Sequence, residues 1–150
     1  MRTQRHEIEI DASTETVFRL LHTPSAIRGW WSVSRAVVVA QEGGLWVAAW
    51  GEDEDDPDFV TLGTITTFEP PYRFVLRYDR YFAKAGPLPF DADFAVEFLL
   101  MPLPTGGARV HVTHTGFPVG PEADPFYAGA EEGWRRTLEA LRAFAAALPT

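Results

Sequence analysis

The C-terminal stretch of the chain constrains the fold most. From Asp124 to about Leu148 it is rich in alanine, with Tyr127, Ala130, Trp134, Leu138, Leu141 and Ala145 at three- and four-residue spacing. Asp124 is placed to cap this helix and Pro125 suits its first turn. A long helix with one apolar stripe must bury that stripe on something. The only surface long enough to offer is β structure, because most of the chain between residues 37 and 116 alternates with period two.

The strands can be read individually. Over residues 4–10, His6, Ile8 and Ile10 share one face and Arg5, Glu7 and Glu9 the other. Ser13 then caps a short helix with Glu15 in its first turn and Val17, Leu20 and Leu21 as its stripe. Pro24 opens a second short helix, which Gly29 is expected to stop. Six further strands are expected: Val37–Ala40, Leu45–Trp50, Val60–Phe68, Arg73–Asp79, Phe94–Met101 and Arg109–Gly116. Gly43-Gly44, Pro70-Pro71 and Gly106-Gly107 mark turns, and Arg80–Asp91 reads as a long aromatic connection. The order is strand, two short helices, six strands, long helix. Residues 1–150 therefore read as a single α+β domain, an antiparallel sheet of about seven strands curled around the last helix.

Composition removes several function classes. There is no cysteine, hence no disulfide, thiolate zinc site or cysteine nucleophile. The formal net charge is -8, and Glu52, Asp53, Glu54, Asp55, Asp56 and Asp58 carry most of it. The rest is nearly neutral, with no basic stripe for nucleic acid. The acidic segment reads as a solvated hairpin tip; weak calcium binding or docking on a basic partner is the alternative, without the spacing of a calcium loop. No run is apolar enough for membrane insertion and the N-terminus has no secretory signature, so a cytoplasmic location is expected.

Several local patterns, in order, resemble the START-like (SRPBCC) helix-grip superfamily, and within it the heat-shock-protein-90 ATPase activator homologue family. They are Ala12-Ser13-Thr14-Glu15-Thr16-Val17-Phe18, Ile27-Arg28-Gly29-Trp30-Trp31, Gly63-Thr64-Ile65 followed by Glu69-Pro70-Pro71, and Arg73-Phe74-Val75-Leu76. Val112-Thr113-His114-Thr115-Gly116-Phe117 and Gly133-Trp134 with Leu138 and Leu141 complete them. The resemblance implies a cavity between the sheet and the last helix that takes a hydrophobic or amphipathic small molecule. It does not imply one activity, because such domains include ligand carriers, cavity enzymes of hydrolase, cyclase or isomerase type, and chaperone-associated modules.

The candidate cavity lining is Trp30, Trp31, Trp46, Trp50, Phe74, Leu76, Tyr78, Phe98, Val112, His114, Tyr127, Trp134 and Leu138. The same side chains serve equally well as packed core. His6 and His114 share parity with inward residues on strands that neighbour each other in the helix-grip fold, which makes them candidate polar anchors or simply hydrogen-bonded core histidines. His111 and His114 point to opposite faces of one strand and cannot chelate one metal ion. Ser13, Ser25, Ser32 and Ser34 lie in no nucleophile elbow, and no phosphate-cradling or dinucleotide loop is present, so no catalytic residue and no cofactor is expected. Tyr81, Phe82 and Phe90 are candidates for a lid or an interface. A small hydrophobic ligand is the expected partner, with a second copy of the chain or a chaperone as further partners.

Overall fold

The computed structural model describes residues 1–149. Its elements are β1 (Arg2–Ile10), α1 (Thr14–His22), α2 (Pro24–Trp30), β2 (Arg35–Val38), β3 (Leu45–Trp50), β4 (Phe59–Glu69), β5 (Arg73–Ala83), β6 (Ala95–Pro102), β7 (Ala108–Phe117) and α3 (Asp124–Ala146). The strands form one antiparallel sheet in the order β1-β7-β6-β5-β4-β3-β2. β1 is the first strand made and pairs with the last, so the sheet's ends are free while its middle is a meander.

Parity along the strands sets the core. Ile8 and Ile10, Trp46 and Ala48, Phe74 and Leu76, Val96 and Phe98, and Val110 and Val112 are buried on one face. Trp134, Leu138, Leu141 and Ala145 of α3 pack on that face. The outer face is held by charge pairs between and along strands: Arg73 with Glu97 at 2.7 Å, Arg77 with Asp79 at 3.0 Å and Arg109 with Glu9 at 3.2 Å. Each is exposed to solvent, which screens it and leaves it a minor contribution to stability.

The two short helices close one end of the sheet. Ser13 Oγ accepts the Thr16 N–H at 3.2 Å, as its sequence position implies. Gly29 differs from expectation. It lies inside α2, which runs on to Trp30, and does not stop the helix. Its role is to let α3 approach: a Cβ at position 29 would stand 2.2 Å from the ring edge of Phe144. Gly29→Ala should therefore cost about 1–3 kcal/mol by overpacking, read as a lower urea midpoint. Removing the obstacle as well, in Gly29→Ala/Phe144→Leu, should recover part of that loss; full additivity of the two changes would refute the contact.

β5 also differs from expectation, because it continues to Ala83 through the first part of the segment read as a loop. The pairing with β4 shifts within it: Tyr78 faces Gly63, Arg80 faces Leu62, and Asp79 is the extra residue. Such a bulge inverts the parity beyond it. Tyr78 and Tyr81, which would otherwise face opposite ways, thereby reach the same side of the sheet.

Candidate functional site

Between the far ends of β3, β4 and β5 and the first half of α3, the packed core gives way to a cavity of about 270 Å³ that opens to solvent. Its sheet wall is Trp50, Phe59, Thr61, Tyr78 and Tyr81, with His114 of β7 beside them. Its helix wall is Ala130, Gly133, Trp134 and Thr137. Trp31, the residue after α2, forms the floor. It stacks on Trp30 with ring centroids 4.9 Å apart and meets Trp46 and Trp134 at 5.5 Å each. Ser32 next to it takes φ 58, a left-handed turn uncommon for a side-chain-bearing residue, and this turn directs the chain from α2 to β2.

The space exists because α3 presents small residues there. A Cβ at Gly133 would meet nothing within 4 Å. One to two turns toward the C-terminus, Leu138 and Leu141 are large and buried.

Three tryptophan side chains are fixed by their N–H groups, whereas Trp46 Nε1 is buried without a partner among the described residues. Trp50 Nε1 donates to the Trp31 carbonyl at 3.0 Å and Trp30 Nε1 to the Leu20 carbonyl at 2.9 Å. Trp134 Nε1 donates to His114 Nδ1 at 2.9 Å. That last bond requires a lone pair on Nδ1, so the neutral His114 ring carries its proton on Nε2. Nε2 is buried and has no partner among the described residues. His114 is 6 % exposed, and burial, helped by repulsion from His6, pushes its pKa down to about 3. Burial also pushes the Tyr78 and Tyr81 phenols above the ordinary tyrosine range. The cavity is thus lined by neutral groups that donate hydrogen bonds, and no carboxylate, lysine or arginine is in its wall.

The sequence candidates divide by place. Trp31, Trp50, Tyr78, His114 and Trp134 line the cavity. Trp30, Trp46, Phe74, Leu76, Phe98 and Val112 lie in the packed core. Tyr127 and Leu138 line a different feature, an open groove of about 1180 Å³ between β1 and α3 whose walls also carry Glu131, Glu132, Arg135 and Arg142. His6 faces that groove too. Its Nε2 meets Gln4 Oε1 at 3.1 Å, and Gln4 in turn donates to the Tyr127 carbonyl at 2.7 Å. His6 and His114 therefore flank Trp134, at 6.3 and 5.9 Å, without sharing a cavity. Although the groove is larger, the aromatic lining of the smaller cavity fits a small apolar molecule better than a charged channel does.

Of the candidate lid residues, Tyr81 is in the cavity wall and stacks on Phe59 at 6.1 Å. Phe90 packs on Phe126 at 5.6 Å, near the start of α3. Phe82 is 53 % exposed. The acidic tip, residues 51–58, joins Trp50 to Phe59 and so lies at the cavity's edge. Lys84 pairs there with Asp56 at 2.8 Å and Asp58 at 3.3 Å. Among the described residues no group of His, Asp or Glu is arranged to hold a metal ion, and no helix is long and apolar enough to cross a membrane.

A seven-stranded antiparallel sheet gripping one long C-terminal helix, with a cavity between them, defines a START-like helix-grip protein. The chain belongs to the family described as activator of Hsp90 ATPase homolog 1-like protein, which matches residues 11–146. Solved structures agree on the fold. A Mesorhizobium loti protein superposes with TM-score 0.79 at 23% identity, over 99% of this chain and 100% of its own. A Rhizobium loti protein gives TM-score 0.76 at 24% identity, over 95% and 96%. The Aha1 dimer from Colwellia psychrerythraea gives 0.73 at 18% identity, over 95% and 94%. No curated protein matches the chain.

Proposed function

We propose that the chain binds a small hydrophobic or amphipathic molecule in the cavity between α3 and the sheet. One observation carries this reading: aromatic rings from β3, β4, β5, α3 and the residue after α2 line about 270 Å³ of unfilled space, in a domain whose core elsewhere is closed. Empty space beside Trp31 and Trp134 forfeits dispersion contacts, and an occupant restores them. The two phenols suit a ligand with at least one hydrogen-bond acceptor on an apolar body.

The cavity is poorly equipped for catalysis. With its pKa near 3, His114 is a weak base at neutral pH, and the phenols stay protonated. Membership of the family also brings a chaperone-associated role, supported by the family description alone. The Colwellia relative is a dimer, and we extend homodimerisation to this chain.

Trp31, Trp50 and Trp134 are built-in reporters. N-phenyl-naphthylamine, a neutral aromatic probe, should quench their fluorescence saturably, and native mass spectrometry of gently purified protein should show a co-purified small molecule. A protein that arrives bare and gives only linear quenching would refute the binding reading.

A further inference from the structure

We propose that the free edge of β1 is the homodimer interface, pairing antiparallel with β1 of a second copy about a two-fold axis at His6. This rests on the homodimer reading above and is independent of the ligand cavity. β1 is an end strand of the sheet, nine residues long. It contains no proline or glycine. The opposite end strand, β2, has four residues, which is one of the ordinary ways of blunting an edge. Beside β1 the groove against α3 leaves its flank uncovered along Thr3–Glu9.

Charges on an edge strand usually discourage pairing. Here their order does the opposite. The outward side chains run Thr3, Arg5, Glu7, Glu9. A two-fold antiparallel pair must keep inward residues opposite inward ones, so the axis passes through a residue and only alternate registers preserve both faces. An axis at Arg5 sets two guanidinium groups opposite each other, and an axis at Glu7 sets two carboxylates opposite. An axis at His6 places Arg5 opposite Glu7 of the partner subunit twice over, and Thr3 opposite Glu9 of the partner subunit twice over. Arg5 is exposed and takes part in none of the ion pairs found among the described residues, whereas Glu7 and Glu9 meet only His111 at 3.3 Å and Arg109 at 3.2 Å on β7. The strand thus carries an unused cation two positions from an acid, in the spacing that self-pairing uses.

Sedimentation velocity on the full chain tests this. The wild type should sediment as a dimer. Arg5→Glu and Glu7→Arg should each raise the dimer dissociation constant by about tenfold or more, because two attractive cross-strand pairs become repulsive. The doubly exchanged protein, Arg5→Glu/Glu7→Arg, recreates both pairs with signs reversed and should return close to the wild-type constant. Both side chains are exposed, so far-UV circular dichroism should be the same for all four proteins. A monomeric wild type would overturn the homodimer reading and this interface together. A wild-type dimer indifferent to either single change, or one that the double exchange fails to restore, would overturn the interface alone.

Discussion

Gly133→Phe is expected to abolish ligand uptake while leaving the fold intact. Position 133 is on the helix wall of the cavity, and its missing side chain would meet nothing within 4 Å. A phenylalanine there has room to enter the space next to Trp31 and Trp50, and the apolar walls favour that placement over solvent by about 1–2 kcal/mol. The helix loses nothing, since glycine is the poorest helix former short of proline. Quenching by N-phenyl-naphthylamine should become linear, and any co-purified mass should disappear. Ala130→Phe, one turn earlier on the same wall, should act alike. Gly133→Ala is the control: it leaves the volume largely open and should stabilise α3 by about 0.5–1 kcal/mol. Unchanged affinity in both plugged proteins would place the ligand outside this cavity, with the β1–α3 groove as the next location to probe.

Small residues decide that experiment, and they are what a sequence reading overlooks. Period-two and period-3.6 patterns pick out large apolar side chains. Such side chains fill space, which is why Trp46, Phe74, Leu76 and Phe98 lie in the closed core. A cavity arises where volume is missing, at Ala130, Gly133 and Thr137, and no hydrophobic pattern marks a missing volume. The architecture itself was legible, because alternation from Arg5 to Thr115 and the stripe on α3 leave one arrangement that buries both.

Two local features were hidden for different reasons. Gly86, Pro87 and Pro89 suggest a loop from Arg80 onward, yet β5 extends to Ala83 because β4 supplies partners that far. The bulge at Asp79 then turns Tyr81 inward, and a one-residue slip of this kind has no signature in composition. Gly29 looked like a helix stop, whereas its purpose is set by Phe144, more than a hundred residues away in sequence. Contacts of that separation belong to the tertiary structure and cannot be read from a local window.

The charge of the chain also gains a location. Six of its 21 acidic residues are in the tip joining Trp50 to Phe59. The tip borders the cavity mouth, and among the described residues Lys84 and Arg35 offset it within salt-bridge distance. Approach to the mouth is consequently through a negative field, screened within about 8 Å at physiological ionic strength. Neutral ligands are unaffected by it, in keeping with a lining that is itself uncharged.

Acidification should destabilise the fold through His114. In the unfolded chain this imidazole binds a proton near its ordinary pKa of 6.5, whereas in the folded protein burial holds it neutral down to about 3. Between those values the unfolded state carries more protons, so stability falls as pH falls. From pH 7 to pH 5 the loss from this one group is about 2 kcal/mol. Burial lowers His6 and His22 as well, which adds to the loss in the same direction. Urea unfolding of the wild type at the two pH values measures the sum. His114→Gln isolates the single contribution, because a glutamine carbonyl can still accept from Trp134 Nε1 but does not titrate. Its difference between pH 7 and pH 5 should shrink by about 2 kcal/mol even if its absolute stability is lower. The His114 ring protons should also hold constant chemical shifts across that range in the folded wild type. An imidazole that titrates between pH 5 and 7, or a glutamine variant with the wild-type pH dependence, would show that burial does not keep this ring neutral. The cavity wall would then hold a group that gains a positive charge in the physiological range.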